Sequence, residues 1–173
     1  MARSESKRAW AALLSRIEPP AMVVSDGGQG FASAVRQEWP GTRVQRCVYH
    51  AFCQVRRLTT SRPRLQAGIE LYGLARDLLD VEGLAQAQRR TERYLEWCSF
   101  WADFLEQRTR TDSGTVCTHE RLRRARRSLS SLVGKGTLYT FLDPELAAAG
   151  PLPKTNNVIE GGVNAQLLAL TYK

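Results

Sequence analysis

Residues 21–50 read AMVVSDGGQGFASAVRQEWPGTRVQRCVYH and decide the fold of the chain. The apolar run MVVS, followed by Asp26 and two glycines, predicts a buried strand that ends in a turn. FASAVRQEW, which stops before Pro40, predicts a helix, and RVQRCVYH predicts a second strand followed by another helix. A helix between two strands is typical of a parallel sheet, so the sequence predicts an α/β fold.

A helix is also predicted before this stretch, over residues 4–17, with Ser4 as its candidate N-cap. Its apolar positions recur at helical spacing and comprise Trp10, Leu13, Leu14 and Ile17. Two strands are fewer than the roughly four to six of an ordinary sheet, and no strong strand pattern follows downstream. We therefore expect that strands of the domain are missing from this sequence.

The stretch from about residue 65 to residue 109 is predicted to be helical. It contains two apolar stripes, Leu71, Leu74, Leu78 and Val81, and Tyr94, Trp97, Trp101 and Leu105. Tryptophans also suit base stacking, but at helical spacing they more often form core, which is the expectation here. Residues 111–118 are predicted to form a polar loop, HERLRRARRSLSSL a basic helix, and PELAAAGPLPK a linker before a last helix.

Composition favours a polyanionic partner. The 173 residues carry 25 Lys and Arg against 17 Asp and Glu, a formal charge of +8, which suits DNA or RNA but also a merely basic surface. No apolar run approaches the ~20 residues of a membrane span, and no signal peptide is predicted, so an intracellular protein is expected. The cysteines are then expected to be thiols or metal ligands rather than disulfides; they are Cys47, Cys53, Cys98 and Cys117.

Three short motifs carry candidate chemistry. Asp26 is placed at the carboxyl end of a strand, where it suits a hard cation such as Mg²⁺, although Asp-Gly also begins ordinary turns. Cys47 and His50 form a Cys-x-x-His pair that resembles half of a zinc site, or that fixes the neighbouring strand. TNNVIEGGVNA, residues 155–165, places Glu160 in the first turns of a helix or in a solvated loop.

In this order, the three motifs resemble the C-terminal part of the catalytic domain of insertion-sequence transposases of the mutator type. The resemblance runs from about Glu5 to about Leu168, and Cys-x-x-His and TNNVIEGG are its specific parts. It implies a partial ribonuclease H-like domain with a mainly α-helical insertion. Its expected parts are residues 1–58 as partial core, 59–118 as helical insertion, and 119–173 as basic helix, linker and Glu-bearing helix.

The resemblance also implies a function. Asp26 matches the second Asp and Glu160 the Glu of an Asp-Asp-Glu triad that holds two divalent metals, Mg²⁺ or Mn²⁺, for DNA cleavage and strand transfer. Cys47 and His50 match the Cys-x-x-His signature of the family. The implied partners are DNA, as element ends and target, and a second copy in a homo-oligomer, with no membrane and no small-molecule substrate. The implied location is the cytoplasm, in association with the nucleoid.

The sequence departs from the family pattern at one decisive point. No Asp precedes Asp26, and the earlier acids, Glu5 and Glu18, are not on a predicted strand. We therefore expect a fragment, truncated at both ends, that lacks the first catalytic Asp and is inactive on its own. The alternatives are a non-catalytic DNA-binding remnant and a zinc-dependent binding module built on Cys47, His50, Cys117 and His119.

Basic residues cluster in two stretches that are candidates for DNA contact. Neutralising phosphates would relieve the repulsion among arginines that have no compensating acid. The first stretch, in the predicted basic helix, consists of Arg121, Arg123, Arg124, Arg126 and Arg127. The second runs from Arg56 to Arg64 and begins with the pair Arg56 and Arg57.

Overall fold

The computed structural model describes residues 6–148 and 150–156. They belong to two compact units, one formed by the residues up to His50 together with those from Thr137 onward, the other by Ala51–Gly136. The elements are α1 (Lys7–Leu14), β1 (Met22–Ser25), α2 (Gln29–Glu38), β2 (Arg43–Arg46), α3 (Val48–Thr59), α4 (Gln66–Arg76), α5 (Leu84–Phe100), α6 (Ala102–Glu106), β3 (Arg108–Thr111), β4 (Gly114–Cys117), α7 (Glu120–Gly134) and α8 (Pro144–Ala147).

The first unit is built on the helix, strand, helix, strand order that the sequence predicts. β1 and β2 are parallel, in a register that runs from Met22 opposite Arg43 to Ser25 opposite Arg46. The mixture of helix and sheet agrees with the α/β prediction. The second strand, however, is shorter than predicted, because α3 already begins at Val48, whose backbone N–H donates to Lys154 O at 3.1 Å.

Helix α1 also ends earlier than its apolar pattern predicts. The Trp39 indole donates to Leu14 O at 3.1 Å and lies at 3.3 Å from Ile17 O, so it satisfies carbonyls at the end of this helix. The predicted stripe is half wrong, since Leu13 and Ile17 are each 48% exposed. Its N-cap is Ser6, whose hydroxyl accepts from the Ala9 N–H at 3.3 Å; Ser4, the predicted cap, lies outside the described residues.

A buried glutamine joins β2 to the segment of residues 137–141. Gln45 is fully buried, its Nε2 donates to Leu138 O at 2.9 Å, and its Oε1 accepts from the Phe141 N–H at 3.0 Å. The Arg46 N–H donates to Thr137 O at 2.7 Å. The bonds to Leu138 and Phe141 satisfy the buried side-chain amide of Gln45, as a polar group in a core requires.

The second unit is helical, and its core follows the predicted stripes. The residues of the first stripe are all buried, and so are those of the second except Trp101, which is half-buried. The Trp97 indole donates to Ala67 O at 3.2 Å and the Trp101 indole to Glu70 Oε2 at 2.8 Å. The tryptophans are therefore core residues in this unit, as expected, and not an exposed platform.

Two predicted irregular segments contain regular structure. Residues 111–118, predicted as a loop, belong to an antiparallel hairpin in which Arg108 pairs with Cys117 and Thr111 with Gly114. The hairpin was missed because none of its strand positions is buried, so the alternation that reveals a strand is absent. The predicted linker contains α8, whose N-cap Asp143 accepts from the Glu145 N–H at 3.0 Å.

Among residues 6–148 and 150–156, no helix combines the length and the apolarity that crossing a membrane requires.

Candidate functional site

Asp26 lies directly after β1, as predicted, with its side chain exposed. Its Oδ1 accepts from the Gly28 N–H at 2.9 Å, and Ser25 Oγ accepts from the Gly27 N–H at 3.0 Å. One carboxylate oxygen thus stabilises the turn, which agrees with the simpler reading of Asp-Gly. Because the carboxylate also faces solvent at the carboxyl end of a parallel strand, the turn leaves it accessible to a ligand.

A cavity of about 270 Å³ opens beside Asp26. One wall consists of Trp10 and Phe31, whose rings meet edge to face with centroids 5.0 Å apart. Asn156 lines the same cavity. The structure therefore brings the start of the TNNVIEGG motif next to Asp26, which the sequence order alone does not require.

Arg46 is a charged residue of this site that the sequence reasoning missed. Only 8% of it is exposed, and its guanidinium lies over Gly27, where an added Cβ would collide with it. Burial lowers the pKa of Arg46, and the nearby negative charge of Asp26 acts in the opposite direction. The available signal was its register, since Arg46 pairs with Ser25, the residue before Asp26.

Cys47 and His50 contact each other, with 3.3 Å between Cys47 Sγ and His50 Nδ1. A second hydrogen bond of 3.4 Å joins Cys47 Sγ to Thr155 Oγ1. Burial opposes ionisation of the Cys47 thiol, but hydrogen bonds from Thr155, His50 and Asn156 outweigh it, so the pKa of Cys47 is lowered. His50 lies in the first turn of α3 and not on a strand, which corrects the prediction for RVQRCVYH.

The other residues of the zinc alternative have local partners in the second unit. Cys117 Sγ donates to Leu105 O at 3.7 Å. His119 stacks on Phe104 with centroids 3.9 Å apart, and burial lowers its pKa. Over the described ranges, 6–148 and 150–156, no three His, Cys, Asp or Glu side chains are grouped so that they could hold a metal ion. Glu160, the predicted second carboxylate, lies outside these ranges.

The structure divides the arginines of α7 by what they contact. Arg121 donates to Arg57 O at 2.8 Å and to Leu58 O at 3.0 Å, so it satisfies the last carbonyls of α3. Arg123 forms an ion pair with Glu106 at 3.3 Å. By contrast, the side chains of Arg124 and Arg127 are exposed and form no ion pair with any described residue.

Arg126 and the α3 arginines are placed differently. Arg126 is half-buried, and its backbone carbonyl accepts from the Tyr94 hydroxyl at 2.8 Å. Arg56 lies over the Phe52 ring, 5.5 Å from its centroid, and Arg57 is exposed. All five predicted arginines of α7 are thus on one helix, but only some of them are available to an outside partner.

The two basic stretches meet within the second unit. A groove of about 450 Å³ is lined by Arg62 and Arg64 of one stretch, by Arg121 of the other, and by His119. Its lining also includes apolar side chains such as Leu122. The hairpin β3–β4 adds two more exposed arginines, Arg108 and Arg110, which the sequence reasoning did not assign. The basic surface is larger than either stretch alone.

The first unit thus has Asp26 at the end of a parallel strand, and the second unit has an arginine-lined groove. The family model for Mutator family transposases matches residues 1–129, which include Asp26, Cys47 and His50. The chain therefore belongs to the Mutator family of transposases, and the resemblance predicted from its motifs is confirmed. No curated protein and no solved structure matches it significantly.

Proposed function

We propose that this chain contributes Asp26 and Glu160 to the Asp-Asp-Glu site of a DNA transposase. The observation that carries the proposal is the position of Asp26, exposed at the carboxyl end of β1 in a cavity that Asn156 also lines. Glu160 follows Asn156 by four residues in the sequence. In a chain of the Mutator family, a carboxylate so placed is best explained as a ligand of a divalent cation.

The donor chemistry of the described residues fits such a cation. Asp26 offers a hard oxygen ligand, and Arg46 is a fixed positive charge beside it, which balances the carboxylate when no cation is bound. Two Mg²⁺ or Mn²⁺ ions, when held by the full set of carboxylates, would activate the attacking oxygen and stabilise the leaving oxygen at phosphorus. The residues of this chain would hold and orient the cations, and no protein nucleophile is required.

The fold proposed for the first unit is ribonuclease H-like. Its support is the parallel pair β1 and β2, joined through α2, with Asp26 at the carboxyl end. A long helical stretch follows the Cys-x-x-His motif and precedes TNNVIEGG, as the expected insertion does. The proposed parts of the domain are residues 1–58 as partial core, 59–118 as helical insertion, and 119–173 as basic helix, linker and Glu-bearing helix.

Membership of a transposase family implies interaction with DNA. The proposed contacts to element ends and target are made by the basic surface of the second unit. Arg124 and Arg127 are its best candidates on α7, because their guanidinium groups are exposed and no ion pair holds them within the described residues. The proposed active assembly is a homo-oligomer associated with the nucleoid.

The chain alone is proposed to be catalytically incomplete. Residues 1–25 contain Glu5 and Glu18 but no Asp, so a first aspartate of the triad is not among them. With two carboxylates instead of three, cation binding should be weak, because hard cations of this type depend on the number of charged oxygen ligands.

The proposal is tested by Mn²⁺ titration calorimetry on the purified chain and on D26N and E160Q. We expect weak binding by the unmodified chain and a loss of at least about tenfold in each variant, since each removes a charged ligand. Asp80→Asn is the matched control, because Asp80 is exposed in the second unit and should leave Mn²⁺ affinity unchanged. Supercoiled DNA incubated with the chain and Mg²⁺ should stay uncut.

Equal Mn²⁺ affinity in all four proteins would overturn the assignment of the site. Salt-sensitive DNA binding would then favour the non-catalytic DNA-binding alternative. Mg²⁺-dependent nicking that D26N abolishes would support the site but contradict the proposed incompleteness. Stoichiometric zinc that is lost in Cys47→Ser would favour the zinc-dependent module.

A further inference from the structure

The Cys-x-x-His motif contacts a segment that lies more than 100 residues away in the sequence. Cys47 is fully buried, and its Sγ is 3.4 Å from Thr155 Oγ1. The next residue, Val48, donates its backbone N–H to Lys154 O at 3.1 Å. A side-chain bond and a backbone bond therefore attach residues 154–155 to the end of β2.

The same cysteine is attached to the strand that carries the candidate aspartate. The backbone N–H of Cys47 donates to Ser25 O at 2.8 Å, one residue before Asp26. On the other side of the contact, Asn156 follows Thr155 and lines the cavity beside Asp26. The backbone of Cys47 thus bonds to the strand that precedes Asp26, and its side chain bonds to the start of the TNNVIEGG segment.

His50 supports this arrangement from the first turn of α3. Its Nδ1 lies 3.3 Å from Cys47 Sγ, so the sulfur has a partner on each of two sides. The buried sulfur therefore takes part in hydrogen bonds to Thr155 and His50. Over the described ranges no third His, Cys, Asp or Glu joins the pair to complete a metal site.

We propose that Cys47 and His50 are positioning residues that anchor residues 154–156 beside Asp26, and that they do not bind a metal. The anchor fixes where the chain enters the stretch that carries Glu160, four residues beyond Asn156. The consequence for Glu160 rests on the proposed function, whereas the anchoring itself does not. If the proposed function holds, Cys47 and His50 therefore also help to position Glu160.

The anchor is tested by hydrogen exchange of the peptide that spans residues 150–160, followed by mass spectrometry. Cys47→Ala and Thr155→Val each remove one side of the Sγ–Oγ1 bond, and His50→Ala removes the support. We expect amide exchange at residues 154–156 to rise by about tenfold in each variant, because weakly held segments exchange through local opening. Exchange in α1, in the same unit, should not change, which shows that this unit remains folded.

Two variants serve as controls. Thr155→Ser keeps the hydroxyl and should keep the slow exchange. Cys53→Ala removes a nearby thiol in α3 that accepts from Arg56 Nη2 at 3.8 Å, and it should behave like the unmodified chain. Mn²⁺ affinity should fall by a few-fold in C47A and H50A but not in C53A.

The outcomes separate the anchor from the metal site. Unchanged exchange at residues 154–156 in C47A and T155V overturns the anchor, and so does stoichiometric zinc that C47A releases. If exchange responds while D26N and E160Q leave Mn²⁺ affinity unchanged, the anchor stands and the proposed function fails. If D26N lowers Mn²⁺ affinity but C47A raises only exchange, the positioning of Glu160 by the anchor is overturned.

Discussion

At Gly27 the backbone has φ of +92°, a conformation that side chains strongly disfavour, and the Arg46 guanidinium occupies the space where a Cβ would lie. Two requirements therefore fall on one residue. The chain must turn directly after Asp26, and the buried guanidinium of Arg46, from β2, must pass over this turn. Only glycine meets both, which explains the Asp-Gly step better than loop flexibility does.

Gly27→Ala is predicted to destabilise the first unit by about 1–3 kcal/mol, from the strained φ and the displaced Arg46. Urea unfolding followed by Trp fluorescence measures the change. Gly41→Ala is the control in the same unit, because its φ is not in the strained region and nothing lies within 4 Å of its Cβ position. A G27A curve that superimposes on that of G41A would contradict the role of Arg46 as a packed neighbour.

Sequence reasoning reached Asp26, Cys47 and His50 through motif spacing, but it did not reach Arg46. The reason is physical. An arginine in a short strand is ordinarily exposed, whereas Arg46 is buried and its backbone pairs with Thr137, which is distant in the sequence. In the same way, Leu13 and Ile17 fitted a helical stripe, yet Leu13 is exposed within α1 and Ile17 lies beyond the end of that helix.

Among the elements, α7 shows why a run of basic residues is not one surface. Leu122, Ala125 and Leu129 are buried on one face, so the arginines between them are spread over the remaining circumference. Arg121 and Arg123 already have partners within the second unit, whereas Arg124 and Arg127 extend into solvent. Helical periodicity predicts the element, but the contacts of each arginine depend on neighbouring elements.

The double variant Arg124→Ala and Arg127→Ala is predicted to weaken binding to a DNA duplex. If each arginine neutralises one phosphate, the slope of log K against log salt should become shallower by about 1.8. Fluorescence anisotropy at salt concentrations from about 50 to 200 mM gives this slope. Arg123→Ala, which removes a side chain already paired with Glu106, should change the slope by much less.

The hairpin β3–β4 is the element whose shape best suits a DNA groove. It is a two-stranded ribbon whose residues from Arg108 to Val116 are all exposed, and the major groove of B-DNA admits such a ribbon. Arg108 and Arg110 are two residues apart on one strand, so their side chains lie on the same face.

Replacing both Arg108 and Arg110 by Ala is therefore predicted to reduce DNA affinity at least as much as the α7 double variant does. The matched control is the pair Arg76→Ala and Arg89→Ala, which removes the same charge from exposed positions on α4 and α5. If the hairpin variant and the Arg76/Arg89 control lose the same DNA affinity, net charge governs binding and the ribbon does not.

For the whole molecule, the parts that followed from the sequence are those with a strong local pattern. The parallel strands, the helical region and its two apolar stripes were predicted because burial imposes a period on the residues. The exposed hairpin and the short α8 lack that period, and the proximity of Asn156 to Asp26 depends on long-range packing. Membership of the Mutator family required motifs in order, not any single element.

The hydrogen bonds between Gln45 and residues 137–141 determine which edge of the small sheet can accept a further strand. They occupy the outer side of β2, whereas in the part of the chain that the structure describes β1 has a strand neighbour on one side only. Any strand that enlarges this sheet, from the same polypeptide or from a separate one, must add along Met22–Ser25. If it adds in parallel, its last residue arrives next to Asp26, so a carboxylate at that end of the strand would lie beside the proposed cation ligand.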